Sequence, residues 1–499
     1  MFFSKIFKNH KILFSGFGIS SLVGVSYLCN EKYMVNRINY YTYKEVSEHN
    51  NKSVGIWTTY KDNVYDITDF VENHPGGKEK IMLSAGSQLE PYWNIYKQHL
   101  NNKYIISSIL GEMKIGKLKD YNPKKYENFD EPYLNEPIRN KNLNFHSTYP
   151  CNAETPVKNI MNNWITPNDL WYIRNHHPVP EIEGNTYSIK ITGLNINEKE
   201  LKLKDIKKLF TKNEIISTIQ CGGNRRNELN NFDKTSGTNW SYGAISTAKW
   251  GGVWLRDILE YCNLDTDLNK NEINHVQFES IDSVKVSIPI EKVLNPYGDV
   301  MLAYEMNEKE LPRDHGYPLR LIVPGHVGIR NLKWIKKITI STDEVDGAWQ
   351  SGMSYRPLPS YIKDVRNVDI SNYASIQEIP VQSLIIEPIN NSVINKDYLE
   401  VKGFALSGGG RGIIRVDVSI DGGKTWIEAK LEEGSEQKLN KAWAWSFWKV
   451  KFDNIKDNNF DILCKATDAS YNTQPKDYED IWNIRGLNNN AWHRINVKK

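Results

Sequence analysis

At 499 residues the chain is too long for one ordinary hydrophobic core, and length alone implies about three domains. Its 63 basic and 60 acidic residues leave a formal charge of +3, so no general polyanion-binding role follows and nucleic acid is not favoured as a partner. Five cysteines spread singly, with no CxxC, exclude a disulfide framework and a zinc module.

The chain starts with Lys5, Lys8 and Lys11, has no acidic residue before Glu31, and carries an apolar run over 12–29 broken by Gly16, Gly18 and Gly24. Such a basic start resembles a mitochondrial targeting sequence, and the run is near the lower length limit of a membrane span. Residues 1–35 are therefore expected to be a targeting and sorting segment that leaves the body of the protein in the mitochondrial intermembrane space. A secretory signal or a retained anchor are the alternatives. Membrane contact is expected only through this apolar segment.

Residues 38–117 read as a small α+β module. Thr42 and Glu45 form a capping box that starts a short helix, 64–67 alternates like a strand, and helices are predicted over 78–83 and 90–99. Between them lies His74-Pro75-Gly76-Gly77, and His99 ends Tyr96-Lys97-Gln98-His99. A histidine before Pro-Gly is by itself a turn residue. Paired with a second histidine it suits haem, whose iron takes axial ligands from opposite faces with apolar side chains lining the ring. Phe70, Ile81, Met82, Leu83, Trp93 and Tyr96 supply that lining, and Gly76 and Gly77 allow a close turn.

Residues 118–150 shift to Lys, Asn, Asp, Glu, Tyr and Pro and read as a flexible linker that would let the haem unit move between partners. Residues 151–345 are mixed α/β, with strands predicted over 187–192 and 319–323, a helix over 253–261, and no Walker or GxGxxG loop. Their topology does not follow from the sequence.

Cys221 stands in Gln220-Cys221-Gly222-Gly223-Asn224-Arg225-Arg226. Its glycines permit close backbone approach, its arginines favour a thiolate, and thiolates bind soft or high-valent metals. On spacing alone a metal ligand and a structural cysteine stay equally open, whereas Cys151, Cys262 and Cys464 read as small buried apolar residues. Residues 346–499 alternate over 414–420, turn at Asp421-Gly422-Gly423, and alternate again at Trp443, Trp445 and Phe447 and at Ile462 and Cys464. That is the pattern of an immunoglobulin-like β-sandwich.

The first module, through Tyr65-Asp66-Ile67-Thr68-Asp69-Phe70, the His-Pro-Gly-Gly motif and Leu89-Glu90-Pro91-Tyr92-Trp93-Asn94-Ile95-Tyr96-Lys97-Gln98-His99, resembles the cytochrome b5 family in its branch fused to sulfite oxidase. The block around Cys221 is similar to the molybdenum-ligating signature of the sulfite oxidase family. Further blocks agree: Arg174-Asn175-His176-His177-Pro178-Val179-Pro180, Leu302-Ala303-Tyr304-Glu305-Met306-Asn307, Leu311-Pro312-Arg313-Asp314-His315-Gly316, and Val323-Pro324-Gly325 with Lys333-Trp334.

The resemblance implies a multidomain enzyme that oxidises sulfite to sulfate at a molybdenum–molybdopterin centre and sends electrons singly through haem b to cytochrome c. It assigns His74 and His99 to haem iron and Cys221 to molybdenum. Tyr172, Ile173, Arg174, Asn175, His176, Asp282, His315, Arg320, Asn331, Leu332 and Lys333 match positions that hold the pterin and its phosphate, while Arg174, Arg226, Arg411, Trp240 and Tyr304 match the sulfite pocket. The terminal sandwich resembles a dimerisation domain, so a homodimer is expected. Two features depart from the pattern: Leu406 stands where a tryptophan usually precedes Ser407-Gly408-Gly409-Gly410-Arg411, and 349–359 differs from the usual form. Nitrate reductases share both cofactor modules but place the haem module after the molybdenum domains. A non-catalytic haem carrier is the other alternative, and intact Cys221, Tyr304 and the arginines argue against it.

Overall fold

The computed structural model describes residues 38–74, 78–101, 108–123, 131–265, 272–365, 368–455 and 457–499. The N-terminal basic and apolar run and the Gly76 and Gly77 turn lie outside the described residues. Among the described residues no helix is long and apolar enough to cross a membrane.

The first unit is built on strands Gly55–Tyr60 and Asn63–Asp66, paired antiparallel through a tight turn. Thr42 starts the helix Tyr43–Glu48 as predicted: its hydroxyl accepts from the Glu45 N–H, and the Glu45 carboxylate accepts from the Thr42 N–H at 2.6 Å. The predicted helix over 90–99 is two pieces, Glu90–Ile95 and Gln98–Asn101, because Tyr96 leaves helical geometry at φ −101°, ψ 63°. Ile56, Tyr65, Ile67, Val71, Leu89 and Trp93 form the core beneath.

Within the segment expected to be a flexible linker, residues 131–150 are folded. Tyr133 and Leu143 are buried, and Asn144–Ser147 pairs with Asn152–Glu154, which in turn pairs with Ile173–Arg174. A polar composition misled here because Arg139 pairs with both Glu136 and Asp314 inside the protein.

The middle unit packs two sheets. One runs in the order Lys199–Lys202, Ser188–Gly193, Ile335–Ser341, His275–Ser280, Lys285–Pro289; the other runs Asn213–Gln220, Ile245–Trp254, Met301–Met306, Lys309–Glu310, with Arg320–Ile322 also on Met301–Met306. Helix Leu255–Tyr261 covers most of the predicted 253–261, and Val253 and Trp254 complete the strand before it. Aliphatic side chains such as Ile189, Val276, Phe278, Leu302 and Ile338 fill the main core.

The last unit is a β-sandwich of two four-stranded sheets. Gln382–Glu387, Tyr398–Leu406, Ser446–Asp453 and Lys430–Leu431 make one; Ile427–Glu428, Ile413–Ser419, Asn459–Asp468 and His493–Lys498 make the other. The predicted turn needs its glycines: Gly422 and Gly423 hold φ of 75° and 92°. Trp445 and Leu406 pack with Ile245 and Ile160 rather than inside the sandwich, which fastens the sandwich to the middle unit.

Candidate active site

Two histidine rings oppose one another in the first unit. His74 and His99 lie with centroids 6.1 Å apart and planes within 7°. Imidazole nitrogens bind transition metals at about 2 Å, so this spacing admits one ion between the rings. His99 Nδ1 donates to the Tyr96 carbonyl at 2.9 Å, which leaves the Nε2 lone pair for a metal. Burial holds this ring below the ordinary histidine pKa, against the Tyr96 hydrogen bond, and so favours the neutral ligand form. Trp93 lies parallel to His99 at 5.5 Å and Phe70 meets His74 edge-on at 5.8 Å. The set fits an axially ligated haem.

The second site is a partly open cavity in the middle unit, lined by Cys221, Tyr172, Arg174, Asn175, His176, Asp282, Asp314, His315, Arg320, Asn331, Leu332, Lys333 and Tyr355 among others. Strand Asn213–Gln220 ends at Cys221 and Ile173–Arg174 delivers Arg174. The wall is cationic. Its carboxylates are already engaged, Asp282 with His177 at 3.3 Å and Asp314 with Arg139 at 2.9 Å. Arg320 donates to the His315 and Asn331 carbonyls, while its buried Nε has no partner. Burial lowers Arg320 to about 10 and Lys333 to about 7, a cost that a bound anion would relieve. This chemistry fits a pterin carrying a phosphate.

Around the thiol a tighter group converges. Gly222 lets Tyr355 approach, since a Cβ there would lie 3.3 Å from Tyr355 Cε1 and 3.0 Å from Val327 Cγ2. Arg226 folds over Gly223, donating to the Thr238 carbonyl at 2.6 Å and to the Arg485 carbonyl at 3.0 Å. Arg485 donates to Ser236 Oγ and keeps a buried Nε without a partner. Burial and the Cys221 charge push the Tyr355 phenol up, against Arg174, Arg226 and Arg330. Trp240 is buried in the same apolar cluster as Cys221 and Tyr172 and backs this wall.

Three family models match the chain: "Cytochrome b5-like Heme/Steroid binding domain" over 42–119, "Oxidoreductase molybdopterin binding domain" over 176–349, and "Mo-co oxidoreductase dimerisation domain" over 373–499. The mitochondrial sulfite oxidase of Rattus norvegicus is 42% identical over 92% of this chain and 84% of its own length. The chain belongs to the sulfite oxidase family. The sulfite oxidase of Gallus gallus is 40% identical over 91% of this chain and 99% of its own. Among solved structures, the sulfane dehydrogenase SoxCD of Paracoccus pantotrophus aligns with TM-score 0.59 and 25% identity over 70% of this chain and 85% of that one.

In this sulfite oxidase family member three expected site residues lie elsewhere. Ile173 faces Leu143, Cys151 and Ala153, because strand alternation that aims Arg174 at the cavity turns its neighbour away. Tyr304 is misplaced for the same reason: Ala303 faces the Cys221 cluster, whereas Leu302 and Tyr304 join the opposite core, with the Lys207 ammonium 4.9 Å from the phenol ring. Arg411 is engaged by Glu378 at 2.9 Å and Asp468 at 3.3 Å, which neutralise it outside the cavity. Sequence reasoning missed Tyr355 and Arg485. Tyr355 sits in 349–359, set aside as a departure from the family pattern. Arg485, in Trp482-Asn483-Ile484-Arg485-Gly486, offers no local signal, although Gly486 at φ 58° marks a tight approach to Arg226.

Proposed function

We propose that this chain oxidises sulfite to sulfate and passes the electrons one at a time through its own haem. The observation that carries this reading is that the buried Cys221 thiol shares a cavity wall with Arg174 and Tyr355, with Arg226 close by and braced on Arg485, in a cavity whose carboxylates are already paired. When bound, the molybdenum–molybdopterin group held by Cys221 supplies the two-electron oxidation and haem b, held by His74 and His99, supplies one-electron carriage.

The chain's own residues do the rest. The three guanidinium groups hold a small oxyanion with charges that deprotonation does not remove at neutral pH. Tyr355, kept protonated by burial, donates its hydroxyl to an oxygen of that anion. Trp240 and its apolar neighbours keep water from the far side of the thiol. Arg320, Lys333 and His315 take the pterin phosphate, and Tyr172, Arg174, Asn175, His176, Asp282, Asn331 and Leu332 hold the ring system. His74 and His99 would hold the haem iron, and a group so held would supply one-electron carriage without binding oxygen.

Cytochrome c is the acceptor we propose. The relatives from rat, human and Drosophila melanogaster are mitochondrial by name, and the basic start of this chain agrees with a mitochondrial protein, in our reading one of the intermembrane space. The match to a dimerisation domain supports a homodimer. We take 38–117, 151–345 and 346–499 as haem, molybdopterin and dimerisation domains, joined by 118–150. The deciding experiment is an absorption spectrum of the cofactor-loaded chain before and after sulfite. Haem reduction is expected in the parent and absent in Cys221→Ser, and a parent haem that stays oxidised overturns the reading.

A further inference from the structure

The first and middle units meet along a seam that neither centre by itself requires. Tyr96 donates its hydroxyl to His177 Nε2 at 3.3 Å, the rings meeting edge to face at 5.6 Å. His177 extends the contact inward by donating from Nδ1 to Asp282 at 3.3 Å, with the two side chains only 8% and 7% exposed. Asp282 lines the cavity beside His176. On the other side, the Tyr96 carbonyl accepts from the His99 ring at 2.9 Å. Hydrogen-bonded groups therefore run from a haem-ligand ring to the cavity wall through one residue of the first unit. Lys80 spans the join, its ammonium 5.6 Å from the Tyr96 ring and 5.7 Å from that of Trp349, which packs on His176 and His177.

The 131–150 segment grips both sides of the seam. Tyr133 donates to the Ile95 carbonyl and Glu131 pairs with Lys97 at 2.6 Å, both on the first unit. Arg139 takes Asp314 of the cavity wall in a two-pronged contact at 2.9 Å, and Glu136 accepts from the Val179 N–H at 2.8 Å. A tether that only set reach would need none of these bonds.

We propose that this docked arrangement is the one in which electrons cross, and that Tyr96 and His177 form the crossing contact between the two redox modules. The proposal rests on the haem and molybdenum reading above and adds the residues through which the two sites communicate. With both groups bound, each crossing would move one electron from the metal that Cys221 would hold, sulfite being the reductant, to the iron that His74 and His99 would hold. No bond is made or broken at the seam, and the Tyr96 proton stays on its oxygen. Tyr96 and His177 are positioning residues. They touch neither sulfite nor iron, but they replace a water-filled gap, through which tunnelling is poor, with packed and hydrogen-bonded atoms.

Two measurements test this. In the full chain loaded with both cofactors, Tyr96→Phe, which removes the hydroxyl at the join, and Lys80→Met, which removes the ammonium that spans it, should each slow flash-initiated haem reduction by roughly ten- to a hundredfold. Sulfite KM with an artificial acceptor and the haem midpoint potential should stay at parental values, a split that general loss of structure does not produce. In the haem-loaded chain without molybdopterin, small-angle X-ray scattering should show the haem unit against the middle unit, and Lys97→Glu with Tyr133→Ala should enlarge the radius of gyration. Parental transfer rates in both seam variants, or parent scattering that fits separated units, overturn the proposal. Failure of the functional reading looks different: sulfite leaves the parent haem oxidised, and scattering alone then decides whether the seam exists.

Discussion

Tyr355 and Arg485 carry the sharpest residue-level tests. Tyr355→Phe and Arg485→Gln should each lower kcat/KM for sulfite by roughly a hundredfold, the scale of losing one preorganised donor, while Tyr304→Phe and Arg411→Gln stay near the parent; steady-state sulfite-dependent acceptor reduction measures all four. Buried histidines make a second prediction. Burial lowers His326 to about 3, and lowers His493 to about 4 against Glu228, whereas an unfolded histidine titrates near 6.5. The unfolded chain therefore binds more protons between these values, and stability present above pH 6.5 is lost as pH falls toward 4. His493 Nδ1 accepts the Ile385 N–H at 3.0 Å, so His493→Asn, whose Oδ1 can keep that bond, should flatten the acid slope of the denaturation midpoint. The contrast between Cys221 and Tyr304 shows what was legible at this scale. Cys221 sits among glycines and arginines that advertise its chemistry, but whether Tyr304 faces one core or the other depends on a strand phase that flanking residues leave open.

Elements with strong local chemistry were readable in the chain. The Thr42 capping box and the Asp421-Gly422-Gly423 turn fold as expected because capping bonds and positive φ are decided within a few residues. The described residues of 349–376 are different: they have little regular structure, and distant partners hold them. Arg330 donates to the Trp349 and Ile376 carbonyls at 3.0 Å, and Arg356 donates to the carbonyls of Ile370, Ser371 and Tyr373. These clamps fix the loop that presents Tyr355. Arg330→Met should cost about 1–3 kcal/mol for each buried carbonyl left without a donor, read from chemical denaturation, and should raise sulfite KM as Tyr355 loosens. The 131–150 strap was misread for a related reason, since a polar composition does not distinguish solvated charges from charges paired inside the protein.

At the scale of the molecule, the division into haem unit, middle unit and sandwich followed from shifts in composition and period, but the joins between them did not. Trp445 and Leu406 fasten the sandwich to the middle unit, and Tyr133 and Arg139 fasten the strap, through contacts between residues far apart in sequence. For the assembled protein we expect light scattering after gel filtration to give twice the 57.7 kDa of one chain. Replacing His74 or His99 with alanine should abolish the haem Soret band while leaving bound molybdenum unchanged, because the two sites are built from separate cores.

Arg485 lies 259 residues beyond Arg226, yet its carbonyl accepts from the Arg226 guanidinium. A chain cut short ahead of Trp482 would therefore still contain the thiol and every residue that lines the cavity, but would lack the group against which Arg226 is braced.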